Sequence, residues 1–187
     1  MKLRFLALTT TFLLLSLASV YAISVLPISE EELTGRATVI VTGEVEDVTT
    51  SFDQDHHTIY TFIKTRVTRV LKGELEDEVL TLRQLGGTVG NDTLTLPGAP
   101  TYEIGDEILV FAGPFDQTGY YGVLGIYYGK YDIELDPSNG MKYVTGASFT
   151  IDHVDAETFE KLPGKFRPDK VSLDDFLSEI EGYVVQN

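Results

Sequence analysis

The chain has 187 residues, a formal net charge of −15, no cysteine and no tryptophan. That length suits one domain able to bury a core without covalent staples. The absence of cysteine excludes disulfides, thiolate metal sites and a cysteine nucleophile, and the negative charge opposes nucleic acid and anionic lipid, which require clustered Lys and Arg.

Residues 1–22 read as a signal peptide. Lys2 and Arg4 form a positive start, Phe5 to Leu17 is largely apolar, and Val20-Tyr21-Ala22 puts small residues at the −3 and −1 positions of a cleavage site after Ala22. Cleavage leaves residues 23–187 as a single domain, and loss of the two cations takes the charge from −15 to −17. The alternative is an uncleaved anchor, because Phe5 to Ile28 is long enough to span a bilayer. A membrane contact enters only in that case. Both arrangements place the folded part outside the cytoplasm, whether secreted, periplasmic or on the cell surface. An exported chain of this size without disulfides is more typical of a prokaryote than of an animal secretome.

Ser29-Glu30-Glu31-Glu32 has capping-box spacing and predicts a short helix from Glu30 to about Arg36. Residues 38–50 follow as a strand. Gly43 and the phase slip between Val45 and Val48 predict a bulge of the kind that lets a small barrel coil. Ser51 to His57 is a polar turn. Its Asp53, Asp55, His56 and His57 lack metal-site spacing, since adjacent imidazoles on an extended chain point apart. Residues 58–72 form a long strand with Ile59, Ile63, Val67 and Leu71 on one face. Residues 79–85 form the next, with Leu80 and Leu82 inward and Arg83 outward.

The stretch from Gly86 to Gly105 has one brief alternation, Leu94 and Leu96, and otherwise reads as an irregular crossing. A connection this long inside a compact domain is often a binding loop. Gly86 and Gly87 permit positive φ, and Pro97 and Pro100 stiffen the far limb. No Lys-Ser/Thr and no helix follows the glycines, which argues against a phosphate loop. Asn91-Asp92-Thr93 is a glycosylation sequon. Strand 107–112 looks buried on both faces. Residues 120–135 read as a last long strand carrying Tyr120, Tyr121, Tyr127, Tyr128 and Tyr131. These tyrosines suit either a tapered barrel interior or a tyrosine-rich binding face. Residues 130–135 and 141–146 form a hairpin over Asp136 to Gly140, residues 147–170 are irregular, and a final helix spans about 172–181, capped by Ser172 and ended by Gly182.

The order of strand, long strand, strand, crossing, strand, strand predicts a mainly β fold. It is a small five- to seven-stranded OB-like antiparallel barrel with a short N-terminal and a C-terminal helix. Ala37-Thr38-Val39-Ile40-Val41-Thr42-Gly43-Glu44-Val45 resembles the opening strand of the tissue inhibitors of metalloproteinases and netrin-like modules. Tyr60 to Gly73 resembles their second strand and turn, and Gly105 to Phe111 the strand after their crossing. The chain is also similar to uncharacterised exported prokaryotic proteins that share the Arg-Gln-Leu-Gly-Gly and Pro-Gly-Ala-Pro stretches. The likeness covers residues 30–135. It implies barrel architecture and, by association, protease inhibition. The animal inhibitors, however, reach the protease zinc through an N-terminal cysteine, and Ile23-Ser24-Val25 offers none.

The functional expectation is an exported, non-catalytic binding module for an unknown protein or surface polymer. Its candidate residues are Gln84, Gly86, Gly87, Pro97, Tyr120, Tyr121 and Tyr127, with no cofactor and no metal. The alternative is a structural or cell-surface assembly component. A hydrolase ranks lower, because no nucleophile elbow or other catalytic constellation is present.

Overall fold

A computed structural model describes residues 24–25, 28–126, 128–146, 152–153 and 170–186. The expected signal segment therefore lies outside the described residues, as does Tyr127. In chain order the elements are β1 (Ser24–Val25), α1 (Glu30–Arg36), β2 (Val39–Phe52), β3 (Ile59–Lys72), β4 (Val79–Leu85), β5 (Gly87–Val89), β6 (Asp92–Leu94), β7 (Glu107–Pro114), β8 (Tyr121–Val123), β9 (Lys130–Asp136), β10 (Met141–Gly146), β11 (Asp152–His153), β12 (Val171–Ser172) and α2 (Leu173–Gln186). The chain divides into two compact units, residues 1–26 with 151–162 and residues 27–150 with 163–187. In the first, β1 pairs in parallel with β11.

The second unit is mainly β. Its sheet runs β12-β10-β9-β7-β2-β3-β4-β8, and β8 pairs again with β7. Five strands thus form a barrel-like ring, β2-β3-β4-β8-β7 and back to β2, as an OB-like Greek key requires. Every pairing in this ring is antiparallel except β4–β8, whose register is the single pair Leu82↔Tyr121. The inside of the ring is packed with Val39, Val41, Val45, Ile63, Leu80, Leu82, Ile108, Val110 and Ala112.

The long β2–β3 hairpin coils because its register shifts between Ile40 and Val41, between Thr42 and Gly43, and between Val45 and Asp47. Both expected causes are present. Gly43 lets the strands close to a distance at which a Cβ would stand 2.5 Å from the Arg66 carbonyl oxygen, and Glu46 is the extra residue of a bulge.

Alternate residues of β2 and β7 face away from the ring. Ile40 lies opposite Phe111 and Thr42 opposite Leu109, and Ile40, Leu109 and Phe111 are fully buried. Leu33 of α1 and Phe176, Leu177 and Ile180 of α2 supply further buried apolar side chains outside the ring. Tyr131 ties the layers together. Its ring lies 5.9 Å from Phe111 and 4.8 Å from Phe176, and its hydroxyl donates to Glu30 Oε1 at 2.7 Å. Helix α1 starts as its spacing predicts, with the Glu32 N–H donating to Ser29 Oγ at 3.1 Å. Lys72 closes its other end by donating to the carbonyls of Thr34 and Gly35.

Three expectations need correction. The crossing from 86 to 105 contains a hairpin, β5 with β6, turned over Gly90-Asn91; three-residue strands are too short to register as an alternation. The expected long strand 120–135 is two strands, β8 and β9. Gly125 and Ile126 take positive φ of 62° and 64° in the turn between them. Helix α2 continues through Gly182 to Gln186, because Gly182 is not in the left-handed conformation that ends a helix.

Two glycines therefore carry opposite expectations. Gly43→Ala drives a methyl group into backbone and costs about 1–3 kcal/mol. Gly182→Ala enters open space on a helix and gains up to about 1 kcal/mol. Urea unfolding midpoints of the two variants should move in opposite directions from wild type.

Candidate functional site

The segment after β4 is built by two glycines that no other residue can replace without strain. Gly86 and Gly87 have φ of +103° and +135°. A Cβ on Gly86 would meet the Leu94 carbonyl oxygen at 2.8 Å, and one on Gly87 would meet Thr50 Cγ2 and Thr61 Oγ1 at 2.7 Å. This close approach lays the β5–β6 hairpin against the end of the β2–β3 pair. Thr61 Oγ1 donates to the Gly86 carbonyl at 2.7 Å and Thr50 Oγ1 to the Thr88 carbonyl at 2.6 Å. Thr88 and Thr93 share a hydroxyl–hydroxyl bond across the hairpin at 3.0 Å. The returning limb is fastened by Gln84, whose Nε2 donates to the Pro100 carbonyl at 3.1 Å.

Between hairpin and limb lies an open groove of about 330 Å³. Gln84, Gly86 and Gly87 line it, together with Leu94, Thr95, Ala99, Thr101 and Tyr102, and no lining residue carries a charge. Pro97 is exposed on the limb and does not line the groove, whereas Pro100 does. Tyr120 and Tyr121 are elsewhere. Tyr121 packs against the ring core, and Tyr120 stands edge-on to Phe62 at 5.1 Å. The structure thus brings three of the expected site residues into one groove and places these two tyrosines in packing roles.

Tyr120 belongs to a cluster around Arg83, a residue the alternation of β4 had assigned only to the outer face. The Arg83 guanidinium carbon lies 3.8 Å from the Tyr60 ring centroid, 5.0 Å from Phe115, 5.9 Å from Phe62 and 6.0 Å from Tyr120. Its Nη1 bonds Asp116 Oδ2 at 2.5 Å, and the side chain is only 15% exposed. The aromatic surround is therefore filled by the protein's own cation, which pins the β7–β8 connection to the sheet. Phe62 faces Arg83 in register, but Phe115 and Tyr120 arrive from a loop that no strand pattern could place.

A second buried cation sits inside. Lys130 of β9 is opposite Val110 and Asp132 opposite Ile108, so both side chains share the face of the ring core. They pair with each other, and the Lys130 ammonium lies 5.3 Å from the Tyr102 ring centroid. Burial, reinforced by the Asp132 charge, pushes the Tyr102 hydroxyl well above the ordinary tyrosine range.

Asp53 organises the turn that precedes β3. Its Oδ1 accepts the N–H groups of His57 and Thr58 at 2.8 and 3.2 Å, and His56 stacks on Phe52 at 5.7 Å. The Asp53 carboxylate and the His56 ring are thereby used in local structure. Among the described residues, no group of three or more His, Asp or Glu side chains is placed to hold a metal ion. No helix among them is long and apolar enough to cross a membrane.

Compared with known proteins, the chain matches no family model, and no curated protein is significantly similar to it.

Two carboxylates, Asp116 exposed and Asp136 half-buried, are stabilised in their charged form. Asp116 is held below its ordinary value of 3.8 by the Thr118 hydroxyl, then the Thr118 N–H and then Arg83. Asp136 is held lower still by the Ser138 hydroxyl, then Lys170. A carboxyl with a lowered folded value adds stability that is complete above its unfolded value and is lost as pH falls through the folded one. Melting temperatures should therefore drop as pH falls below about 5, and Asp116→Asn/Asp136→Asn should flatten that drop. Separately, Arg83→Met should cost about 2 kcal/mol in unfolding free energy. It should also speed amide exchange selectively in residues 115–120.

Proposed function

We propose that this protein is an exported, non-catalytic binding module that receives a protein or surface polymer in the groove formed by residues 84–102. The observation that carries this reading is the groove's lining. In a chain with 14 basic and 29 acidic residues, every side chain facing this opening is neutral. Neutral surface loses little on desolvation, whereas charges at the centre of an interface are costly to bury. The walls are held by backbone and threonine hydrogen bonds, so little ordering entropy remains to be lost on binding.

Export rests on the pattern of residues 1–22, and an extracytoplasmic location follows from it. Protease inhibition enters only through the resemblance of residues 30–135 to the netrin-like modules. With no cysteine at Ile23, an inhibitory contact here would use the groove and not the amino terminus.

The test is capture from the host's extracytoplasmic fraction on immobilised protein, with Thr95→Glu/Ala99→Asp as control. Thr95 is exposed and Ala99 half-buried on the limb, and neither is itself a glycine with positive φ, so the variant should keep the wild-type melting temperature. The expected result is a partner retained by wild type and bound at least about tenfold more weakly by the variant, a change of about 1.4 kcal/mol. Equal retention by both proteins would remove the groove from the interface. An empty eluate from wild type would count against a binding module altogether.

A further inference from the structure

Behind the wall formed by Gln84, Leu85, Leu96 and Tyr102 lies a second, smaller cavity of about 150 Å³. It opens at the seam of the ring. β4 and β8 meet only at Leu82↔Tyr121, and as they diverge Leu82 and Leu85 are left on one side and Val123 and Ile126 on the other. Leu96 and Phe115 complete a lining that is almost wholly apolar. An apolar volume of this size accommodates a benzene-sized ring.

The polar atoms at this cavity are few and unusual. Arg83 and Tyr102 both line it, and each carries a buried polar atom without a hydrogen-bond partner, Nε in Arg83 and the hydroxyl in Tyr102. A buried donor left unpaired is costly, and natural structures seldom leave one so. Here two fall on residues of one small cavity. An acceptor oxygen carried by a molecule in that cavity would satisfy the Arg83 Nε–H. The charge of the guanidinium is already matched by Asp116, and the chain as a whole is at −15. Both facts favour a neutral acceptor over a carboxylate.

From this arrangement we propose that the β4–β8 seam is a binding site for a small neutral aromatic molecule bearing one carbonyl or hydroxyl oxygen. The ring would lie among Leu82, Leu96, Val123 and Ile126, and its oxygen would accept from Arg83 Nε. This site is separate from the groove and does not depend on the groove having a partner.

The experiment is a titration of the ¹⁵N-labelled full chain with acetophenone, benzene and benzoate, followed by NMR. Arginine Nε–H groups give their own signals, so the proposed contact is read directly. Acetophenone should produce saturable shifts in the amides of Leu96 and Val123 and in Arg83 Nε–H. Benzene should bind about tenfold more weakly and leave Arg83 Nε–H unmoved, the difference expected for one hydrogen bond. Benzoate should also bind more weakly than acetophenone. Val123→Phe fills the cavity and should abolish the shifts while the protein stays folded. If that variant fails to fold, Leu96→Phe on the limb fills the same space. The proposal is overturned if acetophenone causes no saturable shift up to its solubility limit, or if the filled variant responds as wild type does. It is equally overturned if a long-lived water occupies Arg83 Nε–H and acetophenone does not displace it.

Discussion

The fold depends on a fork in one strand. β7 pairs with β2 along one edge, and its other edge is divided. Ile108, Leu109 and Val110 pair with β9, while Ala112, Gly113 and Pro114 pair with β8. The division falls at Phe111, whose N–H donates to the Gly129 carbonyl at 2.8 Å and whose carbonyl accepts from the Leu124 N–H at 3.0 Å. Gly129 fits there because it has no side chain: a Cβ would stand 2.7 Å from the Phe111 oxygen and 2.8 Å from the Leu124 oxygen. One branch of the fork closes the ring through β8. The other carries β9 and β10, and with them Tyr131, outward to the helices. A strand with two neighbouring edges and two covered faces has to be apolar throughout, and Ile108 to Ala112 are all fully buried.

The polar chemistry is arranged around that apolar strand in a consistent way. Cations that enter the interior are each given an acid and an aromatic ring, Arg83 with Asp116 and Tyr60, Lys130 with Asp132 and Tyr102. A buried charge without such company would be strongly destabilising. Most other ion pairs lie on the surface, such as Arg66 with Glu44 and Glu46, where screening leaves them little weight. The groove has an uncharged lining, in which Thr61, Thr88 and Thr93 spend their hydroxyls on its own walls.

Elements governed by local rules were legible in the sequence. Ser29 caps α1 as its spacing requires, the β2–β3 hairpin follows the alternation of Ile59 and Ile63, and the bulge near Glu46 appears as a slip in the valine phase. The crossing after Leu85 was legible as a special segment because its glycines and prolines have no place in a strand. What escaped notice depends on contacts distant in sequence. A continuous tyrosine and glycine pattern gave no sign that β8 and β9 part at Gly125 and Ile126, since the reason lies in Phe111. Arg83 looked like any outward residue of a strand, and only the arrival of Phe115 and Tyr120 encloses it. Gly182 carries a helix-ending residue type, but packing of Phe176, Leu177 and Ile180 holds the helix past it. The groove's neutrality combines residues from Val48 to Tyr102, and no window of sequence shows them together.

The joints of the ring are unequal, and this sets how the barrel breathes. β2 and β3 are zipped along their whole length, whereas the hoop is completed at Leu82↔Tyr121 alone. Fluctuations short of global unfolding concentrate where the fewest bonds must break. In this barrel-like ring the place with the fewest backbone pairs is the clasp between β4 and β8, so it is a bracelet with one short link, which Arg83 and Asp116 fasten from the side.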